Sequence, residues 1–312
     1  MPASEARIAV VGSLHMDLTV KAETIPHIGE TVLGREFKMA PGGKGANQAV
    51  AAAKLGANVT MIGRVGTDPF GDSLIRNAVG HGINVDFITP DPEMYTGLAL
   101  IIVDRKGENI IAVAPGADLK CTREDIDRAD SAMKSADILL TQLETPLPVV
   151  QYAINKAFKY GVKVILNPAP AHKLPTDLLK KVYILTPNER EAAELSGVQI
   201  RDLNSAKMAV DVLIEKEAGK VALTMGRKGA LVGTKEKKTR IRTLKVSPVD
   251  TTGAGDAFCG ALAVAASTGK KLEEAVAYAN CAGALKTTKM GAQEALPTRE
   301  ELEKFIKKMP CS

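Results

Sequence analysis

The chain has 312 residues, 45% of them hydrophobic, with 41 Lys and Arg against 36 Asp and Glu and a formal charge of +5. That is enough apolar material for a large core, as one big domain or a domain with an appendage, in an ordinary globular protein. Basic and acidic residues are interleaved, as in 298–308, and only 4% of residues are aromatic, which excludes a nucleic-acid-binding surface.

Short β-branched runs at 7–11, 58–62, 137–140, 162–166, 182–185 and 220–224 alternate with helix-like segments. This alternation predicts βαβ units, a mostly parallel sheet and an α/β fold. Two regions break the rhythm: 17–39 and 96–113 alternate polar with apolar residues. They read as antiparallel strands with one wet face, a sheet of about four strands inserted twice into the larger domain. The large domain then covers 1–16, 40–95 and 115–312, and the small sheet, a hinged lid, covers 17–39 and 96–114. The first apolar run, 8–11, is broken by Gly12 and makes neither a secretory leader nor a membrane span. Cys121, Cys259, Cys281 and Cys311 are scattered and lack metal-binding spacing, so a reduced, cytoplasmic protein with no membrane partner is expected.

Two glycine-rich stretches carry the chemistry. Residues 41–56 run from ProGlyGlyLysGlyAlaAsnGln into an Ala-rich helix expected at 47–55. This is no Walker loop, because Gly45 follows Lys44 where Ser or Thr is required and position 38 is Lys. It offers a backbone that ligands approach closely, a flexible cation at Lys44 and the amide of Asn47. Residues 250–258, AspThrThrGlyAlaGlyAspAlaPhe, lead into Ala257, Phe258, Ala261, Leu262 and Ala265 at helical spacing, so Asp256 sits where a helix begins. Phe258 replaces the third Gly of a dinucleotide fingerprint, which argues against a Rossmann cofactor. The N–H groups of Gly253, Ala254 and Gly255 at a helix start make an anion hole. A carboxylate there is either a helix cap or, beside bound phosphate, a base that takes the proton of an attacking hydroxyl.

Seven motifs in order, GSLHMD (12–17), GGKGANQ (42–48), QLETP (142–146), NPAP (167–170), TPNERE (186–191), DTTGAGDAF (250–258) and KMGAQE (289–294), resemble the carbohydrate kinase family also called PfkB over essentially the whole chain. GGKGANQA and the GAQ tail point to its ribokinase branch. The resemblance implies a ribokinase-like three-layer α/β/α domain that transfers the γ-phosphoryl of ATP to the primary hydroxyl of a sugar, D-ribose in that branch. It further implies that Mg2+ is required, that K+ activates, and that the protein is a homodimer through the lid. Carried over in the same way, Asp256 is the catalytic base, and the amides of Gly253, Ala254 and Gly255 stabilise the transferring phosphoryl group. Asp17, Gly42, Gly43, Lys44, Asn47 and Glu144 are the sugar ligands. Asn188 and Glu191 organise magnesium and phosphate through water, and Thr224, Gly226, Gly229, Gly255 and Asn280 lie at the nucleotide. Asp250, Thr252, Lys286, Lys289, Gly291 and Ala295 hold potassium, mostly through backbone oxygens. Plainer readings stand beside these: Asn188 and Glu191 as a helix cap, Glu144 as a solvated edge residue and Asn280 as a core amide.

One residue departs from the pattern. His15 stands two positions before Asp17, where the branch has Asn. An Asn amide sets donor and acceptor side by side for two vicinal hydroxyls, whereas a neutral imidazole sets them on opposite edges. His15 therefore either lines the pocket wall or changes how one ring hydroxyl is read. The second case opens 2-deoxyribose, a nucleoside or, with His15 protonated, ribose 1-phosphate as the acceptor. A non-catalytic sugar-binding regulator is a reading of another class, which the intact Asp256 and anion hole oppose.

Overall fold

The structure is a computed structural model that describes residues 5–308; Cys311 lies outside them. In chain order the strands are Arg7–Val11 (β1), His15–Ala22 (β2), Gly34–Gly42 (β3), Asn58–Gly66 (β4), Asn84–Asp91 (β5), Gly97–Val103 (β6), Asn109–Ala114 (β7), Ile138–Thr141 (β8), Lys163–Leu166 (β9), Ile184–Leu185 (β10), Val221–Thr224 (β11), Ala230–Gly233 (β12) and Lys238–Ile241 (β13). The larger sheet has the order β13-β12-β11-β10-β9-β8-β1-β4-β5, and the smaller one β3-β2-β6-β7. The larger sheet is parallel from β11 to β5, while β12 and β13 add antiparallel at one edge.

The three layers follow from the alternation of side chains along the central strands. Ile8 and Val10 of β1 join one core with Leu140 and Ile165, under the helices Lys44–Lys54, Ala254–Ser267 and Leu272–Lys286. Ala9 and Val11 face the other way, joining Leu139 and Val164 under the helices Leu147–Lys159 and Leu203–Glu215. A strand buried on both faces needs an unbroken apolar run, which is why β1 and β8 read as continuous hydrophobic segments.

Three expectations need correction. The smaller sheet is not antiparallel throughout: β2 pairs with β6 in parallel, and only the outer pairs β2–β3 and β6–β7 are antiparallel. The reason is topological, since β2 follows β1 and β6 follows β5, two parallel strands of the larger sheet that send the chain out in the same direction. The glycine-rich helix begins at Lys44, not Asn47, and runs to Lys54. β5, β12 and β13 were not anticipated as strands of the larger sheet. The smaller sheet leaves Phe37, Met39, Leu100, Ile110, Ile111 and Val113 exposed. Among the described residues no helix is long and apolar enough to cross a membrane.

The helices Lys44–Lys54 and Ala254–Ser267 touch backbone to backbone at Gly260. A Cβ built there would lie 2.6 Å from the Cβ of Ala51 and 2.9 Å from the backbone of Gln48 and Ala52. Ala is the better helix former by roughly 1 kcal/mol, but overpacking a closed contact costs about 1–3 kcal/mol. The clash wins here because backbone atoms cannot rotate away. Gly260→Ala is therefore expected to lower the free energy of unfolding in a denaturant titration; unchanged or increased stability would show that the helices part freely.

Candidate active site

The loops that leave the carboxyl ends of β1, β8, β9, β10 and β11 converge, the place where parallel sheets collect ligands. They supply Ser13, Glu144, Asn167, Asn188 and Thr224. The helices Lys44–Lys54 and Ala254–Ser267 point into the same region.

Asp256 lies in the first turn of its helix, with Gly253 as N-cap in the left-handed region at φ 74°. It is not a cap. The residue is 8% exposed, and its carboxylate oxygens accept from two side-chain amides: Asn47 Nδ2 donates to Oδ2 at 3.1 Å and Gln48 Nε2 to Oδ1 at 3.0 Å. Both donors are in turn held. Gln293 Nε2 donates to Asn47 Oδ1 at 2.9 Å, and Gln142 Nε2 to Gln48 Oε1 at 2.7 Å. Gln48 also reaches Asn167 Oδ1 at 3.1 Å. Burial raises the Asp256 pKa above the usual carboxylate range, opposed by Lys44 and the two amides. A carboxylate fixed in orientation and made more basic by burial is suited to accept a proton.

The residues expected at the sugar gather around it. Gly43 caps the helix that begins at Lys44. Burial opposes the charge of the Lys44 ammonium, but Asp256, Glu144 and Glu191 more than offset it, and its pKa is raised. Glu144 is no solvated edge residue: it accepts from the Ser13 hydroxyl, and from Lys44 N at 3.1 Å. Asp17 lies against Gly42, where an added Cβ would sit 2.3 Å from the Asp17 carboxylate, so only glycine leaves it room. Burial lifts the Asp17 carboxyl to about 6, against the pull of His15.

His15 is buried, and its Nε2 lies 2.7 Å from Oδ2 of Asp118 with the two side chains 4% and 0% exposed. The N–H is not aimed along that line, so this is a close contact without an aligned hydrogen bond, ionic when the imidazole is protonated. Asp118 Oδ1 accepts from Leu14 N at 3.0 Å. Burial lifts the Asp118 carboxyl to about 6 against the pull of His15. Burial alone would lower the imidazole pKa, but Asp118, then Glu144 and Asp17, raise it.

On the far side of Gly255 a cavity of about 570 Å³ is lined by Thr224, Gly226, Gly229, Ala254, Gly255 and Asn280, among others. An added Cβ at Gly255 would meet nothing within 4 Å, so its backbone opens onto that space. Asn280 is both a cavity residue and a satisfied amide, donating to Ile241 O at 3.2 Å. Asn188 and Glu191 form a full capping box: Glu191 N donates to Asn188 Oδ1 at 2.8 Å and Asn188 N to Glu191 Oε2 at 2.9 Å. Backbone bridging ties Asn188 to Thr224 at the cavity edge.

Of the six residues expected around a monovalent cation, four meet. Asp250 Oδ1 accepts from Thr252 N and Oδ2 from Gly291 N, each at 2.9 Å, and Asp250 O accepts from Lys286 Nζ, also at 2.9 Å. The side chain of Lys289 turns away to Glu301 at 2.5 Å, and Ala295 lies in a short 3-10 turn, Gln293–Ala295.

Gln48, Gln142, Asn167, Ser13 and Asp118 were missed from the sequence. For Gln48 the signal was present, an amide beside Asn47 in a helix otherwise rich in alanine. Asp118 is separated from Leu14 by 104 positions, and nothing local marks it.

Residues 5–299 match the family described as pfkB family carbohydrate kinase. The chain is 40% identical to a ribokinase of Haemophilus influenzae over 299 residues, 96% of this chain and 98% of that one. It is 37% identical to a deoxyribokinase of Salmonella typhi over 300 residues, 96% of this chain and 98% of the relative. Among solved structures, Arabidopsis thaliana ribokinase complexed with ribose and ATP superposes with a TM-score of 0.89 at 32% identity, covering 97% of this chain and 99% of that one. With its three-layer fold and a family match over nearly its full length, the chain belongs to the PfkB family of carbohydrate kinases.

Proposed function

We propose that the chain transfers the γ-phosphoryl of ATP to the primary 5-hydroxyl of D-ribose. The observation that carries this reading is Asp256, buried and oriented by Asn47 and Gln48 and next in the chain to Gly255, which lines the cavity. The sugar lies against Asp17, Gly42, Gly43, Lys44, Asn47 and Glu144, its 5-hydroxyl directed at Asp256. That carboxylate takes the hydroxyl proton as the oxygen attacks, and the N–H groups of Gly253, Ala254 and Gly255 stabilise the phosphoryl group in flight. The nucleotide occupies the cavity between Thr224, Gly226, Gly229 and Asn280.

Magnesium, when bound, neutralises charge on the ATP phosphates. Both Glu191 oxygens already accept from Asn188 in the capping box, and carboxylate and amide oxygens suit outer-sphere contact through retained water. Closure of the smaller sheet over the sugar excludes water, a competing nucleophile. Two copies paired through that sheet would cover its exposed apolar side chains and its edges. The cytoplasm is the expected compartment.

A second acceptor, 2-deoxyribose, is favoured by the His15–Asp118 contact, because an imidazole engaged with Asp118 does not offer the paired donor and acceptor of an amide. Ribose 1-phosphate fits less well. Its phosphate would face Asp17, Glu144 and Asp118, and like charges repel.

Asp256→Asn is expected to leave sugar binding, measured by calorimetry, within a few-fold of wild type, while turnover falls by roughly two to four orders of magnitude. Near-normal turnover would remove Asp256 as the base. The base works ionised, and Asp17, lifted to about 6, accepts hydroxyl protons best ionised. Wild-type kcat/KM should therefore begin to fall on acidification well before the ordinary carboxylate range, and a profile flat down to about pH 5 would contradict this.

His15→Asn leaves Asp118 buried without its cation, so stability should fall. The double change with Asp118→Asn should recover most of it and raise the ribose to 2-deoxyribose ratio of kcat/KM. A double variant no more stable than His15→Asn would show that Asp118 does not depend on the imidazole for its burial. For the dimer, Phe37→Lys with Ile111→Lys should convert it to monomer in analytical ultracentrifugation, and an unchanged sedimentation coefficient would place the interface elsewhere.

A further inference from the structure

The loop 248–253 feeds directly into the anion hole, and Asp250 is its hub. Both carboxylate oxygens of Asp250 are taken by backbone N–H groups, those of Thr252 and Gly291. Val249 N and Asp250 N donate to Thr287 O at 2.7 and 3.1 Å. The remaining partner is Lys286, the last residue of the helix Leu272–Lys286, whose side chain is 0% exposed. Its Nζ donates to Asp250 O at 2.9 Å and lies 3.8 Å from Asp250 Oδ2. A buried lysine without a charged partner is among the costliest side chains to place, so this one is held for what its charge does.

The residues present do not fit an added monovalent cation. The carbonyl and the carboxylate that would attract one already face an ammonium group, and a second positive charge would be repelled by it at close range. The Lys286 backbone oxygen accepts from Lys289 N at 3.1 Å, and Ala295 brings no side-chain oxygen. An ammonium and a potassium ion carry the same charge and are similar in size. The tethered group differs in that it is always present.

We infer that Lys286 is a built-in monovalent cation, a positioning residue whose ammonium fixes the Asp250 loop and with it the N–H groups of Gly253, Ala254 and Gly255, so that this kinase works without added potassium. The loop closes on the hole in three residues, and a cation bridging Asp250 to the end of the helix Leu272–Lys286 prevents the displacement that would disorder it. Burial lowers the pKa of the Lys286 amine, while Asp250, through charge and hydrogen bond, and Asp256 act to keep its proton.

The inference rests on the kinase reading for its rates but not for its binding arm. Initial rates with ribose and magnesium ATP would be measured in potassium, sodium and choline chloride at matched ionic strength, beside melting temperatures in the same salts. For wild type, equal rates and equal melting temperatures in all three are expected. Lys286→Ala opens the site: its rate in choline should drop several-fold and be restored by potassium more than by sodium, with a melting temperature raised by potassium alone. Potassium activation of wild type, or a wild-type melting temperature raised by potassium alone, would overturn the inference. So would a loss in Lys286→Ala that potassium does not relieve, which would make Lys286 merely structural. If that variant does not fold, the wild-type salt series decides by itself. If no sugar is phosphorylated, the melting temperatures still test the cation while the kinase reading fails separately.

Discussion

The grip of two neighbouring amides on one buried carboxylate organises this molecule. Asn47 and Gln48 stand on one helix and Asp256 on another, and the distances of 3.1 and 3.0 Å hold only while the two helices stay in contact. Gly260 allows that contact and the alanines around it make it close. Gln142 and Gln293 lock the two amides from behind. Successive residues on a helix point about 100° apart, so the two amides approach the carboxylate from different sides and leave it little freedom to rotate. Sheet, helix packing and chemistry are thereby coupled through a few polar atoms in a low-dielectric setting, where each hydrogen bond is stronger and each missing one more costly.

Around that centre, charge is arranged in compensating groups. Lys44 sits among Asp256, Glu144 and Glu191, His15 among Asp118, Asp17 and Glu144, and Lys286 between Asp250 and the field of Asp256. A site that receives a neutral polyol and a highly anionic nucleotide needs cations held back from solvent, and each of these is kept in place by carboxylates that the chain itself supplies. Their distribution also separates the two substrates. In the proposed binding mode acidic groups dominate on the sugar side, and glycine backbone dominates on the phosphate side.

Much of the fold was legible because its central strands are buried on both faces, which forces unbroken apolar runs that differ from a wet strand by lacking alternation and from a helix by their shortness. β1, β8, β9 and β11 fall within a residue or two of expectation. β5 was hidden by its alternation, NVDFITPD, which reflects an edge strand with one open side, and β12 and β13 were hidden by their shortness. The parallel pairing of β2 with β6 depends on where each strand leaves the larger sheet, information that no local window holds. The residues of the site were legible where a motif is continuous, as in 42–48 and 250–258. The partners were not: Asp118 and Gln142 act across 104 and 94 positions, and the contact of the Lys286 side chain with Asp250 O is marked by no local motif. The capping box of Asn188 and Glu191 shows the opposite ambiguity, since one local arrangement serves a helix start and stands at a cavity edge equally well.

β2 begins at His15, only four residues after β1 ends at Val11, and carries Asp17 outward on the smaller sheet, while Lys44, Asn47 and Asp256 stay with the larger one. The ligands assigned to the sugar are thus divided between the two sheets, with Gly12, Ser13 and Leu14 as one of the links between them. Under such an arrangement affinity is not a property of contact alone. Under the proposed closure, the apparent dissociation constant equals the intrinsic one divided by the fraction of molecules in which the two halves already face each other. A substitution far out on β3 or β7 that touches no substrate can then change how tightly sugar is held, simply by altering that fraction.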